Sequence, residues 1–371
     1  MTNRHLEMGI FAPTIGRMPP QGDPALFVLS DAEQRVSITY ESNRRIAQML
    51  DRAGLEIYFM AQRGGRGFGP KRVWSHALDS FGVAAGIAEA TERMRIVSTV
   101  YTAFYHPAAV ARMGSTLAQI SGGRWGLNVV SGWTKGDFEM YGIPFRSHEE
   151  RYRQTTEFTE VLQKFWTEDG FDYDGEHFQI KGGCCQPLPE RMPPLFNAGS
   201  SDAGKDFTAK YCDWYFTGAL DPEQLRAEVK DLKARAAAQG REVRIITYLF
   251  CLCRDTEAEV QREVDELMAA RDEIAAREMI EGLSGQTLGT AESIFGAGLT
   301  VGEIIQGSIL GVGSGKLLGT PEQVATQLAA LQEAGLDAAA LTFRHYEDDT
   351  RFMIERIIPL LEEMGVRAPA A

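Results

Sequence analysis

Eight short β-type runs separated by helical stretches are the feature that most constrains the fold of this chain of 371 residues. Strand–helix alternation along a whole chain predicts a parallel sheet covered by helices. Eight strands favour the α/β class in its closed form, a (β/α)8 TIM barrel. A doubly wound open sheet is the alternative, but no GxGxxG follows the first run. The runs are MGIFAP (8–13), IYFMAQ (57–62), MRIVSTV (94–100), RWGLNVVSG (124–132), PPLFNAG (193–199), DWYFTG (213–218), VRIITYLFCLC (243–253) and AALTFRH (339–345).

Several helices are predicted by their opening residues, since a capping side chain followed by proline in the first turn is typical of a helix start. His106-Pro107, Asp221-Pro222 and Thr320-Pro321 all have this form. Helical patterns are also predicted over Ser37–Ala53, His106–Ile120, 150–166 and 202–212.

The barrel is predicted to be a single domain, residues 1–371, with insertions at 167–189 and 272–319. The first holds FDYDGEHFQI, an alternating run split by Asp174-Gly175, which predicts a small hairpin after the helix of the fourth strand. The second contains the glycine-rich stretch 284–319. A structureless stretch of that length inside a domain predicts a lid or binding loop, so we expect a mobile flap before the eighth strand. A disordered linker is the alternative, but buried-type residues such as Phe295 disfavour it.

Composition and charge limit the partners and the surroundings of the chain. The net charge of −13 and the pI near 5.1 exclude a basic surface for nucleic acid. The N-terminus MTNRHLEMGIFAP has no signal-peptide core, and no run approaches the roughly 20 apolar residues of a membrane span. Five cysteines in no framework spacing predict reduced, packed thiols. We therefore expect a cytoplasmic protein.

Polar residues at the carboxyl ends of the predicted strands are the candidate site, because barrel enzymes carry their chemistry there. Asn128 interrupts the apolar run of the fourth strand, and an amide in a buried strand costs free energy unless it is hydrogen-bonded. Thr99 on the third strand would place a hydroxyl beside it. Together they suit a flat polar heterocycle or dioxygen. A satisfied hydrogen-bond network in the core is the alternative.

A second candidate site lies after the fifth strand, where Gly199-Ser200-Ser201 precedes a helix. Two hydroxyls and the amides of a helix N-terminus suit an anion, although an ordinary serine cap has the same sequence. Arg151 and Tyr152 begin another helix and could bind the same phosphate. The six histidines show no metal spacing and no G-x-S-x-G is present, so a metal site and a serine hydrolase are not predicted.

Three stretches resemble the bacterial-luciferase-like flavin-dependent monooxygenases, and the resemblance covers nearly the whole chain. They are ISGGRWGLNVVSGWTKGDFEMYG (120–142), ERY (150–152) and NAGSSDAG (197–204). Within that family, RGFG, WSHALDSF, PAAVARM and AGxSDAG are similar to the pyrimidine monooxygenase branch. VVSGWTKGDF, HEERYR and DWYFT are similar to the dimethylsulfone monooxygenase branch.

The resemblance implies a barrel that holds FMN non-covalently at its C-terminal face. It also implies a separate NAD(P)H:flavin reductase that supplies reduced FMN (FMNH2), dioxygen as co-substrate, and a homodimer or homotetramer. Asn128 matches a flavin-contacting asparagine, and Thr99 a threonine near flavin N5, where dioxygen is placed. Ala61 and Gln62 match a flavin contact that is Ile-Lys in the pyrimidine branch, and Asp137 matches an acidic flavin contact that is Glu there. The residues that match contacts to the flavin phosphate are Arg151, Tyr152 and Ser201, with Ser200 beside Ser201.

The expected activity is therefore an FMNH2-dependent, two-component monooxygenation of a small molecule. A cyclic amide or nitrogen heterocycle of the pyrimidine type is the first expected substrate, and an organosulfur compound such as a sulfone is the alternative. Anionic alkanesulfonates are disfavoured because residues 284–319 offer only Lys316 as a cation. A deazaflavin-dependent dehydrogenase and a non-catalytic flavin-binding protein are the rival functions.

Overall fold

A closed barrel of eight parallel strands forms the centre of the computed structural model, which describes residues 5–17, 28–219, 221–284 and 301–369. The strands of the described residues are β1 Glu7–Phe11, β2 Ile15–Gly16, β3 Ile57–Phe59, β4 His76–Ala77, β5 Arg95–Tyr101, β6 Trp125–Val130, β7 Phe171–Asp174, β8 Gln179–Gly183, β9 Leu195–Asn197, β10 Trp214–Thr217, β11 Arg244–Cys253, β12 Gly315–Gly319 and β13 Ala338–Phe343. The barrel order is β1-β3-β5-β6-β9-β10-β11-β13, and β13 pairs back with β1. The predicted fold is confirmed, and each of the eight predicted runs contains one barrel strand or overlaps it.

Helices cover the outside of this barrel. Those of the described residues are α1 Tyr40–Arg52, α2 Ser80–Ala90, α3 Pro107–Ile120, α4 Lys135–Met140, α5 His148–Thr167, α6 Asp202–Tyr211, α7 Pro222–Ala238, α8 Glu257–Ala269, α9 Glu273–Ser284, α10 Val301–Ile309, α11 Pro321–Glu333, α12 Tyr346–Phe352 and α13 Ile358–Glu363, with a π-helix Met353–Ile357 before the last. The three predicted helix starts are present, and Asp221 caps its helix by accepting from the backbone N–H groups of Glu223 and Gln224, each at 2.9 Å. None of the described helices is long and apolar enough to cross a bilayer.

The N-terminal end of the barrel is closed by charged and aromatic side chains from the first residues of its strands. Glu7 pairs with Arg95 at 2.9 Å and with Arg244 at 2.6 Å. The Arg244 guanidinium lies 4.0 Å from the Trp214 ring centroid. This plug leaves the C-terminal end as the face where a ligand can enter.

The two predicted insertions differ in outcome. β7 and β8 form the expected antiparallel hairpin, although its loop runs over 175–178, because Asp174 pairs with Gln179. The prediction of one glycine-rich flap over 284–319 is wrong for its second half. Residues 301–309 form α10, which buries Ile304 and Ile305, and β12 pairs with β11 as a ninth parallel strand. Backbone pairing and apolar burial outweigh the glycine content there. Residues 285–300 of the predicted flap lie outside the described residues.

Candidate active site

A cluster of aromatic rings, the aromatic cluster, lies inside the barrel. Rings from strands that are not neighbours meet there: Phe59 lies 4.9 Å from Phe216, and Phe11 lies 5.4 Å from Tyr248, measured between ring centroids. The Tyr248 hydroxyl donates to the carbonyl of Val312, and burial holds the pKa of this phenol above its usual value. The hydroxyl is thus engaged within the protein, so this aromatic cluster offers apolar and π contacts.

Beside this cluster, the C-terminal parts of β3, β5 and β6 form a polar wall. Trp125 packs outward, with its ring 6.0 Å from that of Phe81 and 6.2 Å from that of Trp166. Because strand residues alternate in direction, Asn128 then points into the barrel. Its neighbour across the ladder is Thr99, which it pairs with in register.

A hydrogen-bond chain crosses these three strands. Asn128 Nδ2 donates to Thr99 Oγ1 at 3.1 Å, and Thr99 Oγ1 donates to the Met60 carbonyl at 2.7 Å. Asn128 and Thr99 are each 5% exposed. The second Asn128 amide atom, Oδ1, is buried and has no hydrogen-bond partner in the protein. Since buried polar atoms are seldom left unpaired, this oxygen is suited to accept a hydrogen bond from a ligand.

Gln62 and Ala61 follow β3 directly and lie half-buried at the rim of the polar wall. Gln62 Oε1 accepts from the Ser80 backbone N–H at 3.1 Å, and the Ser80 hydroxyl donates to the Thr99 carbonyl at 3.1 Å. Gln62 is therefore tied to the strand that carries Thr99. The flavin contacts predicted for Ala61 and Gln62 remain predictions.

The predicted phosphate residues come together at a second corner of the same face. Ser201 caps α6 and accepts from the Gly204 N–H at 3.2 Å, so the predicted serine cap is confirmed, and the phosphate contact of this turn remains a prediction. Tyr152 is 8% exposed, and its hydroxyl lies so close to the Gly199 backbone that a Cβ there would be 2.0 Å from it. Only glycine permits this approach, and burial raises the pKa of the Tyr152 phenol. Ser200 is exposed beside them.

Arg151 and His148 complete this corner. Arg151 donates through Nη1 to the Arg146 carbonyl at 2.6 Å, while its buried Nε has no hydrogen-bond partner. His148 Nε2 lies 3.2 Å from Ser201 Oγ. Burial and the nearby Arg151 charge lower the pKa of His148. A phenol, a hydroxyl, a guanidinium and a helix N-terminus are the donor types that an organic phosphate needs, so the residues fit the phosphate end of FMN.

Asp137 is the predicted site residue whose position was least foreseeable. It is 0% exposed, and its carboxylate lies 3.1 Å from Arg63 Nη1. A flavin contact for Asp137 remains a prediction. Sequence analysis missed Arg63 and His148, although Arg63 directly follows Gln62 and His148 lies three residues before Arg151.

One group of side chains in the described residues has the spacing of metal ligands: Glu157, Glu176 and His177, whose ligand atoms lie within 4.8 Å of one another. The Glu157 carboxylate already accepts from backbone N–H groups, at 3.0 Å from Glu176 and 2.8 Å from His177. These contacts give Glu157 a structural role, which is to hold the hairpin loop against α5. The absence of a metal stays a prediction.

The sequence matches known proteins along almost its whole length. A family model described as luciferase-like monooxygenase matches residues 7–338. An FMNH(2)-dependent dimethylsulfone monooxygenase from Pseudomonas putida is 32% identical over 350 residues, 93% of this chain and 94% of that protein. Pyrimidine monooxygenase RutA from Yersinia enterocolitica is 32% identical over 355 residues, 94% of this chain and 95% of that protein.

Among solved structures, a crystal structure of riboflavin lyase with modified FMN and substrate riboflavin superposes with a TM-score of 0.88 at 24% identity. The match covers 99% of this chain and 93% of that chain. At this identity the likeness shows the fold alone, and it agrees with the barrel described above.

Proposed function

The chain belongs to the luciferase-like monooxygenase family, and we propose that it is an FMNH2-dependent monooxygenase that uses dioxygen to oxygenate a small uncharged molecule. The observation that carries this proposal is the polar wall of the mouth, where the buried Oδ1 of Asn128 has no partner although Nδ2 is held by Thr99. An oriented amide of this kind suits the edge of a flat ring that carries N–H groups.

The phosphate of FMN is assigned to the corner formed by Arg151, Tyr152 and Ser201, with Ser200 beside it. Two helix N-termini, those of α5 and α6, converge there, and each favours negative charge. The isoalloxazine ring would then lie between the aromatic cluster and the polar wall, close to Ala61 and Gln62. This arrangement agrees with relatives whose names state that they depend on FMNH(2).

Bound reduced flavin would supply the electrons for dioxygen activation, and the protein supplies position and a dry site. Asn128 and Thr99 are each 5% exposed, so water has little access to the groups that would orient oxygen. Asn128 holds its amide in one orientation by donating to Thr99, and Thr99 is fixed in turn by the Met60 carbonyl. A preorganised donor–acceptor chain needs no rearrangement during the reaction.

A separate NAD(P)H:flavin reductase is the proposed source of the reduced cofactor. The names of the dimethylsulfone monooxygenase relatives support this, since they specify the reduced form of FMN. The predicted homodimer or homotetramer and the predicted cytoplasmic location remain proposals.

The substrate is proposed to be a cyclic amide of the pyrimidine type, because rings of the aromatic cluster can stack on a flat ring and the relatives include pyrimidine monooxygenases at 30–32% identity. A dialkyl sulfone is the second candidate. It is favoured by the dimethylsulfone monooxygenases at 32% and 30% identity and by the apolar character of the same cluster.

Calorimetry with FMN and riboflavin tests the cofactor assignment. FMN should bind more tightly than riboflavin, because riboflavin lacks the phosphate that Arg151, Tyr152 and Ser201 are proposed to bind. Equal affinities would contradict the assignment of Arg151, Tyr152 and Ser201. Product analysis with uracil analogues, lactams and sulfones, in the presence of NADH and a generic flavin reductase, then identifies the substrate class.

A further inference from the structure

Arg63 is a cation buried beside the polar wall. It is 5% exposed, and its guanidinium carbon lies 5.1 Å from the ring centroid of Phe68, 5.7 Å from that of Trp74 and 5.0 Å from that of Trp133. Contacts of this kind are favourable for a desolvated cation, and arginine makes them more often than lysine. A side chain so enclosed has lost its hydration and depends on protein partners.

Its polar partners include the N-cap residue and a first-turn residue of α4, the helix that follows β6. Arg63 Nη1 donates to Thr134 Oγ1 at 2.8 Å and lies 3.1 Å from the Asp137 carboxylate. Neither Asp137 oxygen has a hydrogen-bonding partner of good geometry beyond this ion pair, and the backbone at Gly64 packs directly on the carboxylate. Asp137 is thus committed to Arg63.

The cluster joins the same three strand ends that carry the Asn128–Thr99–Met60 chain. Arg63 belongs to the loop after β3, and Asp137 follows β6. Tyr101, the last residue of β5, has its buried phenol near enough to this pair that the charges of Arg63 and Asp137 both act on it. A change in this cluster would therefore be transmitted to the spacing of β3, β5 and β6 at the mouth.

We propose that Arg63 and Asp137 form a positioning pair that fixes the polar wall, so that Asp137 acts on the flavin site through Arg63 and not by contacting flavin. The proposal rests on the proposed function. Removing one member leaves a buried charge without its partner, which is costlier than the absence of both. The two residues should therefore be strongly coupled in their effect on flavin binding, because residues in direct contact behave non-additively.

The chain provides a matched control in Arg66 and Glu139. This pair joins the same loop to the same helix α4 at 2.8 Å, but its side chains are 61% and 50% exposed. Exposed ion pairs contribute little, since water screens them. Arg66→Met and Glu139→Gln should therefore leave flavin binding and the product yield unchanged.

The test is a double-mutant cycle on the dissociation constant for FMN, with Arg63→Met, Asp137→Asn and the double variant. Each single variant should weaken FMN binding by about tenfold or more, and the double variant should be no weaker than the poorer single one. The singles should also convert more of the reducing equivalents to hydrogen peroxide than to product. Arg63→Lys, which keeps the charge but loses the fork of donors, should restore binding in part.

Two results would overturn the inference while leaving the proposed function intact. If Asp137→Asn weakens FMN binding by the same factor with and without Arg63, Asp137 contacts flavin directly. If the single variants lower the melting temperature while the FMN dissociation constant and the peroxide yield stay at wild-type values, the pair is merely structural. Arg63→Lys and Asp137→Glu give the same comparison where a neutral variant does not fold. A wild-type chain that binds no FMN would overturn the proposed function itself, and this inference with it.

Discussion

Asn128 and Thr99 are hydrogen-bonded across neighbouring strands, with Asn128 Nδ2 donating to Thr99 Oγ1 at 3.1 Å. The other amide atom, Asn128 Oδ1, is buried and has no hydrogen-bond partner in the protein. An amide whose only purpose was to satisfy the core would have both of its atoms engaged. The half-satisfied amide instead points to a group that completes it from the barrel mouth.

Replacement of Asn128 by Ala should leave the fold intact and lower the oxygenated product by a factor of about 10²–10³, the usual scale for one preorganised polar group. Hydrogen peroxide should rise in parallel, because reduced flavin still meets oxygen that is no longer positioned. Thr99→Val, which is nearly equal in volume, should act in the same direction. Product and peroxide are measured together per NADH consumed.

Asn43 is the matched control for this prediction. It is also a fully buried asparagine, but its Nδ2 donates to the Pro13 carbonyl at 3.1 Å and its Oδ1 accepts from Tyr58 at 2.5 Å. Asn43→Ala should lower the free energy of unfolding by about 1–3 kcal/mol and leave the product-to-peroxide ratio unchanged. If Asn128→Ala behaves like Asn43→Ala, then Asn128 is a core amide and the site assignment fails.

Substitution of Ser201 by Ala should weaken FMN binding by about 1–2 kcal/mol, the scale of a hydrogen bond to a charged group. Riboflavin affinity should stay the same, since riboflavin has no phosphate. The control variant is Thr256→Ala. Thr256 caps α8 through its hydroxyl, which accepts from the Glu259 N–H at 3.2 Å. That control should lower stability by about 1 kcal/mol without changing flavin affinity. An equal loss for FMN and riboflavin in Ser201→Ala would assign the serine to the helix alone.

The pH dependence of stability should change in a His345→Gln variant. His345 Nδ1 accepts from the Arg35 N–H at 3.0 Å, and burial together with nearby arginines lowers its pKa to about 4. This folded-state pKa lies below the unfolded value of about 6.5. The stability that neutral His345 contributes is therefore fully present above about pH 6.5 and is lost as the pH falls towards 4.

Asp349 changes stability with pH in the opposite direction to His345, since burial raises its pKa to about 6. Its contribution is fully present below the unfolded value of about 3.9 and is lost as pH rises through 6. In the wild type, the effects of His345 and Asp349 on stability therefore partly cancel between about pH 4 and about pH 6. His345→Gln should therefore gain melting temperature relative to wild type on acidification from about pH 7 to about pH 4.5. A constant difference between the two melting temperatures over that range would contradict the assignment.

The barrel could be predicted from the sequence because each strand carries its own local signal, apolar and β-branched runs bounded by turns and capped helices. The positions of Asn128, Thr99 and the serine turn were predictable for the same reason, since each lies in the C-terminal half of a strand or soon after one, while their roles at the flavin remain predictions. The segment 301–319 was not, because the pairing of β12 with β11 and the burial of α10 are long-range and outweigh local glycine content.

The contacts of Asp137 and His148 were also beyond the sequence. Arg63 and Asp137 are 74 positions apart in the sequence, and no local sequence pattern predicts that they form an ion pair. His148 reaches Ser201 only because α5 and α6 begin at the same corner of the barrel. Such partnerships depend on how loops converge after the strands have closed.

Transfer of isotopically labelled oxygen from dioxygen into a product is the most direct test of the central claim. The purified chain would be supplied with FMN, NADH, a generic flavin reductase and labelled dioxygen, with uracil and dimethylsulfone as separate substrates and deazaflavin as the cofactor control. The structure and the family membership predict one labelled oxygen atom per molecule of product, formed with FMN only, and a yield that together with hydrogen peroxide accounts for the NADH consumed. Peroxide as the sole product across uracil analogues, lactams and sulfones, or turnover that requires deazaflavin, would contradict an FMNH2-dependent monooxygenase.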